Sequence, residues 1–342
     1  MDDKKPLLGL TLSQLTETTS RIGAPKFVAK QIADWLYKKN VSSIEQMTNL
    51  SKKVRAQLEE EFCVGMYPPE KETVSADGTK KYLFRVCKDR FIEAAYIPDR
   101  DRATLCVSIQ AGCKMGCKFC NTGLQGFGGN LSAQEILNQI VSLPEYSTLT
   151  NLVFMGMGEP LDNFENLLNA LEILTADYGF AMSPRRITVS TVGIIKQLPE
   201  FIEKTEVHLA VSLHNPFAEQ RAEIMPIEKT NPLSKVLEIV KKYDFRHQRR
   251  FSAEYIMIKG VNDTPAHARQ LVKILDRIPA RVNLIRYHAH PGSEFESSPE
   301  IRIHEFQEIL NAKNITATIR ASRGEDIFAA CGLLSTKELQ KN

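Results

Sequence analysis

Cys113-Lys-Met-Gly-Cys117-Lys-Phe-Cys120 puts three thiols within eight residues. Thiolates so spaced on a loop can wrap three corners of a cubane iron–sulfur cluster and leave the fourth iron without a protein ligand. Structural zinc commonly takes four ligands as two spaced pairs, and no second pair is visible here. Electron-transfer ferredoxins supply four cysteines per cluster. The chain has four further cysteines, Cys63, Cys87, Cys106 and Cys331. An odd total of seven with three clustered is not a secreted disulfide framework. In a reducing compartment such clustering means metal or redox chemistry.

Working outward, short β-branched runs alternate with helical segments from about residue 104 onward. Strands are expected at 105–109, 151–155, 186–190, 207–213, 253–258 and 282–286, with a further one at 315–319. Ser132 and Glu135 form a capping box at the head of a helix. Alternation on this scale implies parallel βα units. Six are too few for a closed eight-fold barrel, so an open, partial (β/α)6 barrel of the α/β class is expected, with chemistry at the C-terminal ends of its strands. Upstream, Tyr82, Phe84 and Val86 alternate with polar residues, Lys88–Asp89 reads as a turn, and 91–97 as a partner strand. The first 65 or so residues read as helical: Val28, Ile32, Trp35 and Leu36 share one face, and Val54, Leu58 and Phe62 another. The expected organisation is a helical module over 1–70, a β linker over 71–100, the barrel over 101–320 and a C-terminal loop over 321–342.

Composition is that of a globular protein, 43% hydrophobic and 25% charged. No apolar run reaches the roughly 18–20 residues a membrane span needs. The start lacks a signal peptide's apolar core, so a cytoplasmic protein is expected. The net charge of +3 is too small to prove a nucleic-acid partner. Local clusters at Lys52–Lys53–Arg55, Lys80–Lys81, Arg185–Arg186 and Arg246–Arg249–Arg250 favour phosphate contact only weakly.

Met155-Gly-Met-Gly-Glu-Pro160 follows the second barrel strand. Gly156 and Gly158 are expected to let a ligand approach the backbone, with Glu159 an acceptor for an ammonium group. Ser190 and Thr191 end the third strand; Ser212, Leu213 and His214 end the fourth. Taken singly, Ser190 and His214 read as satisfied turn residues; their common position at the barrel mouth makes them candidate ligands. Cys63 and Cys87 read as small buried apolar residues. Cys331, flanked by Ala-Ala and Gly, suits an exposed loop.

The triad, with its aromatic Phe119, resembles the radical S-adenosylmethionine (SAM) signature, and the whole chain closely resembles the RlmN/Cfr family of radical SAM RNA methyltransferases. The likeness runs from about Val28 to Leu333. It includes the Cys106-to-Cys120 block, MGMGEP, SPRRITVST, SLH, MPI, the Tyr255–Asp263 segment, Asn283–Ile285 and RGEDIFAACG. The resemblance implies a [4Fe-4S] cluster on Cys113, Cys117 and Cys120. It also implies SAM contacts from Gly158, Glu159, Ser190, Ser212, Leu213 and His214, and from His288, where many relatives have Asn. It further implies two SAM molecules per turnover. One methylates Cys331; the second yields a 5′-deoxyadenosyl radical that takes a hydrogen from the S-methyl group. The resulting methylene adds to an adenine ring carbon, Glu93 serves as general base, and Cys106 resolves the adduct through a Cys106–Cys331 disulfide. Without the resemblance, Glu93 reads as an exposed strand carboxylate.

The same resemblance implies 23S rRNA as substrate, tRNA as a second one, an electron donor such as flavodoxin or ferredoxin, an RNA-contacting N-terminal module, no membrane, and a monomer. The flanks ATLCVS and PGSEF favour carbon 2 of adenine over the carbon-8 reaction of the Cfr branch. A non-catalytic cluster-bearing RNA-binding or redox protein is the alternative from another class, and the SAM constellation argues against it.

Overall fold

The computed structural model describes residues 4–86, 90–245, 249–290 and 292–336. The Lys88–Asp89 turn, Cys87 and Arg246 lie outside the described residues.

Two short parallel strands, β1 (Lys5–Pro6) and β2 (Phe62–Cys63), close the ends of the N-terminal module. Between them lie α1 (Leu12–Arg21), α2 (Phe27–Ala33) and α3 (Lys52–Glu61). Thr11 and Gln14 form a capping box on α1, and Ser51 caps α3 by accepting the Val54 N–H. The expected apolar face is buried at Val28, Ile32 and Leu36. Trp35 is half-buried and donates its indole N–H to Asn49 Oδ1 at 2.5 Å. The module does not hang free. Tyr37 packs its ring 5.4 Å from that of Phe180, Asn40 Nδ2 donates to the Val141 carbonyl at 3.1 Å, and Tyr67 exchanges two backbone bonds with the Asn138 amide. Cys63 is half-buried on β2 with its thiol toward the Lys4 carbonyl, not deep in the core as expected. Strand alternation gives the core side of β2 to Phe62 and turns Cys63 the other way.

A ten-stranded sheet follows. Its strands are β3 (Lys71–Val74), β4 (Lys80–Val86), β5 (Arg90–Asp99), β6 (Arg102–Cys106), β9 (Asn151–Phe154), β10 (Ile187–Thr191), β11 (His208–Ser212), β12 (Phe251–Met257), β13 (Ala280–Arg286) and β14 (Thr316–Ile319). They lie in that order, antiparallel through β3–β6 and parallel from β6 to β14. The linker strands thus continue the barrel sheet. Between β6 and β9 a separate hairpin of β7 (Gln110–Gly112) and β8 (Phe127–Asn130) carries the cysteine loop and α4 (Asn121–Gln125) between its strands. Helices α5 (Ala133–Val141), α6 (Phe164–Thr175), α7 (Leu198–Lys204), α8 (Ala218–Ile224), α9 (Leu233–Val240), α10 (Pro265–Ile274) and α11 (Glu300–Asn311) form the crossovers. Among the described residues no helix is long and apolar enough to cross a membrane.

The first barrel strand ends at Cys106, short of the expected 105–109. Beyond it Val107 N–H still bonds Val153, but Ile109 and Gln110 turn to donate to the Met157 carbonyl at 2.8 and 3.1 Å. Strand alternation then sorts the residues. Ala253, Tyr255, Val282 and Leu284 are buried in the main core, with Tyr255 stacked 5.0 Å from Phe306 of α11. Ser190, Ser212, Glu254, Asn283 and Thr318 occupy the intervening positions and line the inner face. Parallel strands buried on both sides are near-continuously apolar; a polar inner face marks a barrel that holds ligands rather than a packed core.

Candidate active site

The cysteine loop is set by the glycines around it. Gly112 has φ +75°, and a Cβ there would lie 1.9 Å from the Gly126 carbonyl, so only glycine lets the two hairpin arms approach. Cys113 N–H donates to that same carbonyl at 2.8 Å, Met115 N–H points to Cys113 Sγ at 3.5 Å, and Lys118 N–H bonds the Ile224 carbonyl at the end of α8. Cys117 and Phe119 are buried with Val192, Ile224, Met225, Ile256, Ile258 and Tyr287. This apolar shell pushes the Cys113 thiol up to about 12 and raises those of Cys117 and Cys120. Three soft sulfurs on one turn, Cys117 buried and Cys113 and Cys120 half-buried, fit an iron–sulfur cluster, whose irons would replace the protons. Among the described residues no three His, Cys, Asp or Glu side chains converge on a single ion; a cubane instead takes each thiolate on a different iron.

The MGMGEP turn is tied to this loop. Met157 N–H donates to Ser108 Oγ (2.8 Å), Glu159 N–H to Gln110 Oε1 (2.9 Å), and Gln110 Nε2 to Asp162 (2.7 Å), which also pairs with Lys114 (2.8 Å). A Cβ on Gly158 (φ +98°) would lie 2.5 Å from the Gln110 side chain, and one on Gly156 2.7 Å from Ser108 Oγ. The close approach these glycines permit is therefore of the Ser108–Gln110 segment. Glu159 is buried, and its oxygens accept from Leu161 N–H (3.0 Å), Thr191 Oγ1 (2.5 Å) and Val192 N–H (2.9 Å). Burial pushes its carboxyl up to about 7 against those bonds. Its side chain joins the ends of the second and third barrel strands.

Ser190 is half-buried opposite Ala210, and Ser212 stands directly beside Glu254. The carbonyls of Ser212 and Leu213 both accept from the fully buried Arg221 guanidinium, at 2.9 and 2.8 Å, and Glu228 completes that ion pair. His214 has φ +59°, packs edge-on against Phe119 at 4.9 Å, and accepts the Ile256 N–H on Nδ1 at 3.1 Å. Burial, and then Arg221, push it down to about 3. It is a neutral imidazole whose proton is assigned to Nε2 by that bond. His288 is buried too, but both ring nitrogens face the C-terminal loop: Nε2 meets Ser322 Oγ at 3.0 Å and Nδ1 meets Glu325 at 3.2 Å.

That loop is pinned at both ends. Asp77 accepts the Gly324 N–H at 3.0 Å, and Asp326 accepts from Ser75 Oγ and Ala76 N–H at 2.5 and 3.1 Å. Downstream, Asn121 N–H donates to the Gly332 carbonyl (2.8 Å), Thr122 Oγ1 to Leu334 (2.6 Å) and Gln125 Nε2 to Thr336 (2.8 Å). Cys331 is exposed and Cys106 buried; both are free thiols. Cys106 packs with Ala95 and Ala329 and is pushed up to about 12 by burial and then by the charge of Cys331. Although Cys331 as a residue is exposed, the atoms packed around its sulfur raise its thiol, with Arg320 pulling it down and Glu254 and Cys120 pushing it up. The two outlying cysteines and the cysteine loop thus meet at one mouth.

Glu93 is not an exposed strand carboxylate. It lies on β5 two positions from Ala95, is 6% exposed, pairs with Lys81 at 2.9 Å and accepts the Ser335 N–H at 3.0 Å. Its burial comes from the C-terminal segment folding back over it, a contact of 242 residues' separation that strand periodicity cannot signal. Gln110, Arg221 and Glu254 were likewise missed; each is a single polar residue in an otherwise ordinary stretch.

Comparison with known proteins agrees with this geometry. Residues 5–64 match the ribosomal RNA large subunit methyltransferase N-terminal domain, and residues 107–272 the radical SAM superfamily. A probable dual-specificity RNA methyltransferase RlmN from Parabacteroides distasonis is 56% identical over 98% of both chains. The dual-specificity RNA methyltransferase RlmN of Halorhodospira halophila is 42% identical over 96% of this chain and 92% of its own. A crystal structure of a radical SAM methyltransferase from Sphaerobacter thermophilus superposes with TM-score 0.90 at 38% identity, covering 96% of this chain and 98% of that one. With its helical module, its parallel half-barrel and its three-cysteine loop in the order those relatives share, the chain belongs to the RlmN family of radical SAM RNA methyltransferases.

Proposed function

We propose that this enzyme methylates carbon 2 of one adenosine in 23S rRNA, and of an adenosine in tRNA, with Cys331 as methyl carrier. The observation that carries the reading is the fastening of the Cys331 loop to the residues following Cys120, with Cys106 close enough for the two thiols to feel each other's charge. The dual-specificity naming of the relatives supports both RNA substrates. A cytoplasmic monomer served by a flavodoxin- or ferredoxin-type reductant completes the reading.

An electron-poor ring carbon cannot displace a methyl group from a sulfonium, whereas a thiolate can. Cys331, an exposed thiol, takes that methyl group as a thioether. Cys113, Cys117 and Cys120 hold the cluster, which when bound supplies the electron that turns a second SAM into a hydrogen-abstracting radical. Gly158, Glu159, Ser190, Ser212, Leu213, His214 and His288 frame the SAM site: the first six on strand ends, His288 through the loop it braces. Loss of a hydrogen from the S-methyl group lets its carbon join the adenine ring. The adduct must then give up one electron, which a bound cluster would accept, and the ring proton. The Cys106 thiolate next attacks the Cys331 sulfur, and the freed methylene carbon takes a proton. The methylated base leaves and a Cys106–Cys331 disulfide forms, to be reduced afterwards. Glu93 stands where the Cys331 loop folds back. Its carboxylate, held by Lys81 on one oxygen and the Ser335 N–H on the other, keeps lone pairs with which to take the ring proton.

Mass spectrometry of the target adenosine from a deletion strain, against 2-methyl and 8-methyl standards, tests the reading. Loss of 2-methyladenosine is expected; loss of the 8-methyl isomer would assign the Cfr-type reaction. Reduced, reconstituted protein that released no 5′-deoxyadenosine from SAM would favour a non-catalytic protein.

A further inference from the structure

Four strands of the barrel carry a polar row in register. Ser212 of β11 is opposite Glu254 of β12, Glu254 opposite Asn283 of β13, and Asn283 opposite Thr318 of β14. Hydrogen bonds run along the row: Thr318 Oγ1 donates to Asn283 Oδ1 at 2.8 Å, and Asn283 Nδ2 to Glu254 Oε1 at 2.8 Å. Ser252 Oγ donates to the same Oε1 at 2.8 Å. Glu254 is 3% exposed, and its other oxygen, Oε2, is buried with no hydrogen-bond partner among the described residues. A buried acceptor left bare costs stability, so this oxygen marks a place where the folded chain awaits a donor.

The direction of that oxygen follows from the strand. Tyr255, one position on, stacks against α11 on the helical side, while Ile256, two positions on, packs with Cys117 and Phe119 at the mouth. Glu254 therefore faces the interior, beneath the cysteine loop and close enough to Cys331 for its charge to act there. The occupant must bring a hydrogen-bond donor to a site whose other walls are Ser, Asn and Thr. On the reading above, both molecules that enter the barrel are adenosines, whose neutral donors are the ribose hydroxyls and the 6-amino group.

We infer that Glu254 Oε2 binds an adenosine donor inside the barrel, with Ser252 and Asn283 holding the carboxyl in place through Oε1. The inference rests on the proposed function, and the test separates the two. SAM affinity is measured by equilibrium binding to the anaerobically reconstituted full chain, beside its iron content and its melting temperature without ligand. Glu254→Gln should weaken SAM roughly tenfold to a hundredfold, the loss of one hydrogen bond to a charged acceptor. Its iron content should match wild type and its ligand-free melting temperature should stay close to it, because the amide keeps the carboxyl's shape and its oxygen still accepts from Ser252 and Asn283. Ser252→Ala, which leaves Oε2 in place, should change SAM affinity less than about threefold.

If SAM affinity is unchanged in Glu254→Gln, the same variant is tested with a stem-loop RNA carrying adenosine or purine at the target position. Loss of the wild-type preference for adenosine assigns the acceptor to the 6-amino group of the substrate base. Unchanged affinity in both arms overturns the inference, and so does a Ser252→Ala loss as large as that of Glu254→Gln. Wild-type protein that bound no SAM would remove the proposed function and this inference with it.

Discussion

The Asn121 N–H donates to the Gly332 carbonyl at 2.8 Å, joining the residue after Cys120 to the residue after Cys331. The methyl carrier is thereby fixed relative to the cluster loop by backbone, with side-chain bonds from Thr122 and Gln125 behind it. Thr122→Val and Gln125→Ala together remove those side-chain bonds and, with them, the bond between the Thr122 hydroxyl and the Cys120 thiol. At about 0.5–1 kcal/mol per neutral hydrogen bond, losing these four bonds should open the segment about thirtyfold to a thousandfold more often. Faster alkylation of Cys331 and faster exchange of the Leu333–Thr336 amides, with unchanged iron content, is the expected result. Unchanged rates would mean that the Asn121 bonds and the upstream anchors at Asp77 and Asp326 hold the loop without them.

Replacing Cys113, Cys117 and Cys120 by Ala should abolish iron binding and SAM cleavage together. The fold should persist, because the loop is held by Gly112, Gly126 and the Lys118–Ile224 bond rather than by metal alone. Iron analysis with circular dichroism checks both halves. A triple variant that kept four irons per chain would refute the ligand assignment.

RNA affinity should fall steeply with salt, since each neutralised phosphate releases counterions. Lys52 and Lys53 are exposed at the head of α3, whereas Arg55 donates to the Glu45 carbonyl at 2.6 Å and belongs to the module's own structure. Lys52→Ala with Lys53→Ala should lower the slope of log affinity against log salt by about 1–2 and leave SAM cleavage intact. Among the alternative arginines, Arg249 is excluded as a docking residue: it is stacked between Phe201 and Phe245 and bonded to the Ile202 carbonyl. An unchanged slope would move the docking surface off α3.

His214 gives a pH signature. Its folded value of about 3 lies below the ordinary histidine value of 6.5. Between those values the unfolded chain binds a proton that the folded chain refuses. Its contribution to stability is therefore complete above pH 6.5 and is lost as pH falls toward 3, by at most about 1.4 kcal/mol per pH unit. Denaturant midpoints of ligand-free wild type and His214→Gln should converge as pH drops through this window. Parallel curves would show that His214 titrates normally.

The parallel half-barrel was legible because β-branched runs recur at βα spacing, and the cysteine loop because its spacing is local. What the sequence hid is contact across the chain. Glu93 reads as a solvent-facing strand residue until Ser335 covers it, and nothing near His288 signals that Ser322 and Glu325 meet its ring nitrogens. Glycines 156 and 158 read as space for a ligand, yet Ser108 and Gln110 fill that space. Glu254 sits in an apolar strand with nothing local to single it out; only the register of β11 to β14 lines it up with Ser212, Asn283 and Thr318.

Cys106→Ala should trap the enzyme on its RNA. Methylation of Cys331 does not involve Cys106, and the cluster ligands and strand ends stay intact, so the methylene carbon still joins Cys331 to adenine. Resolution fails because no thiolate remains to attack the Cys331 sulfur. Cys106 packs against Ala95 and Ala329 in an apolar pocket, so alanine leaves a small void and costs little of the fold. The variant should therefore accumulate a protein–RNA species that survives denaturing electrophoresis, disappears with RNase and resists reductant, because the link is a thioether. Cys106→Ala with Cys331→Ala should form none. Normal turnover by Cys106→Ala would show that another group resolves the adduct and that Cys106 is a packing residue.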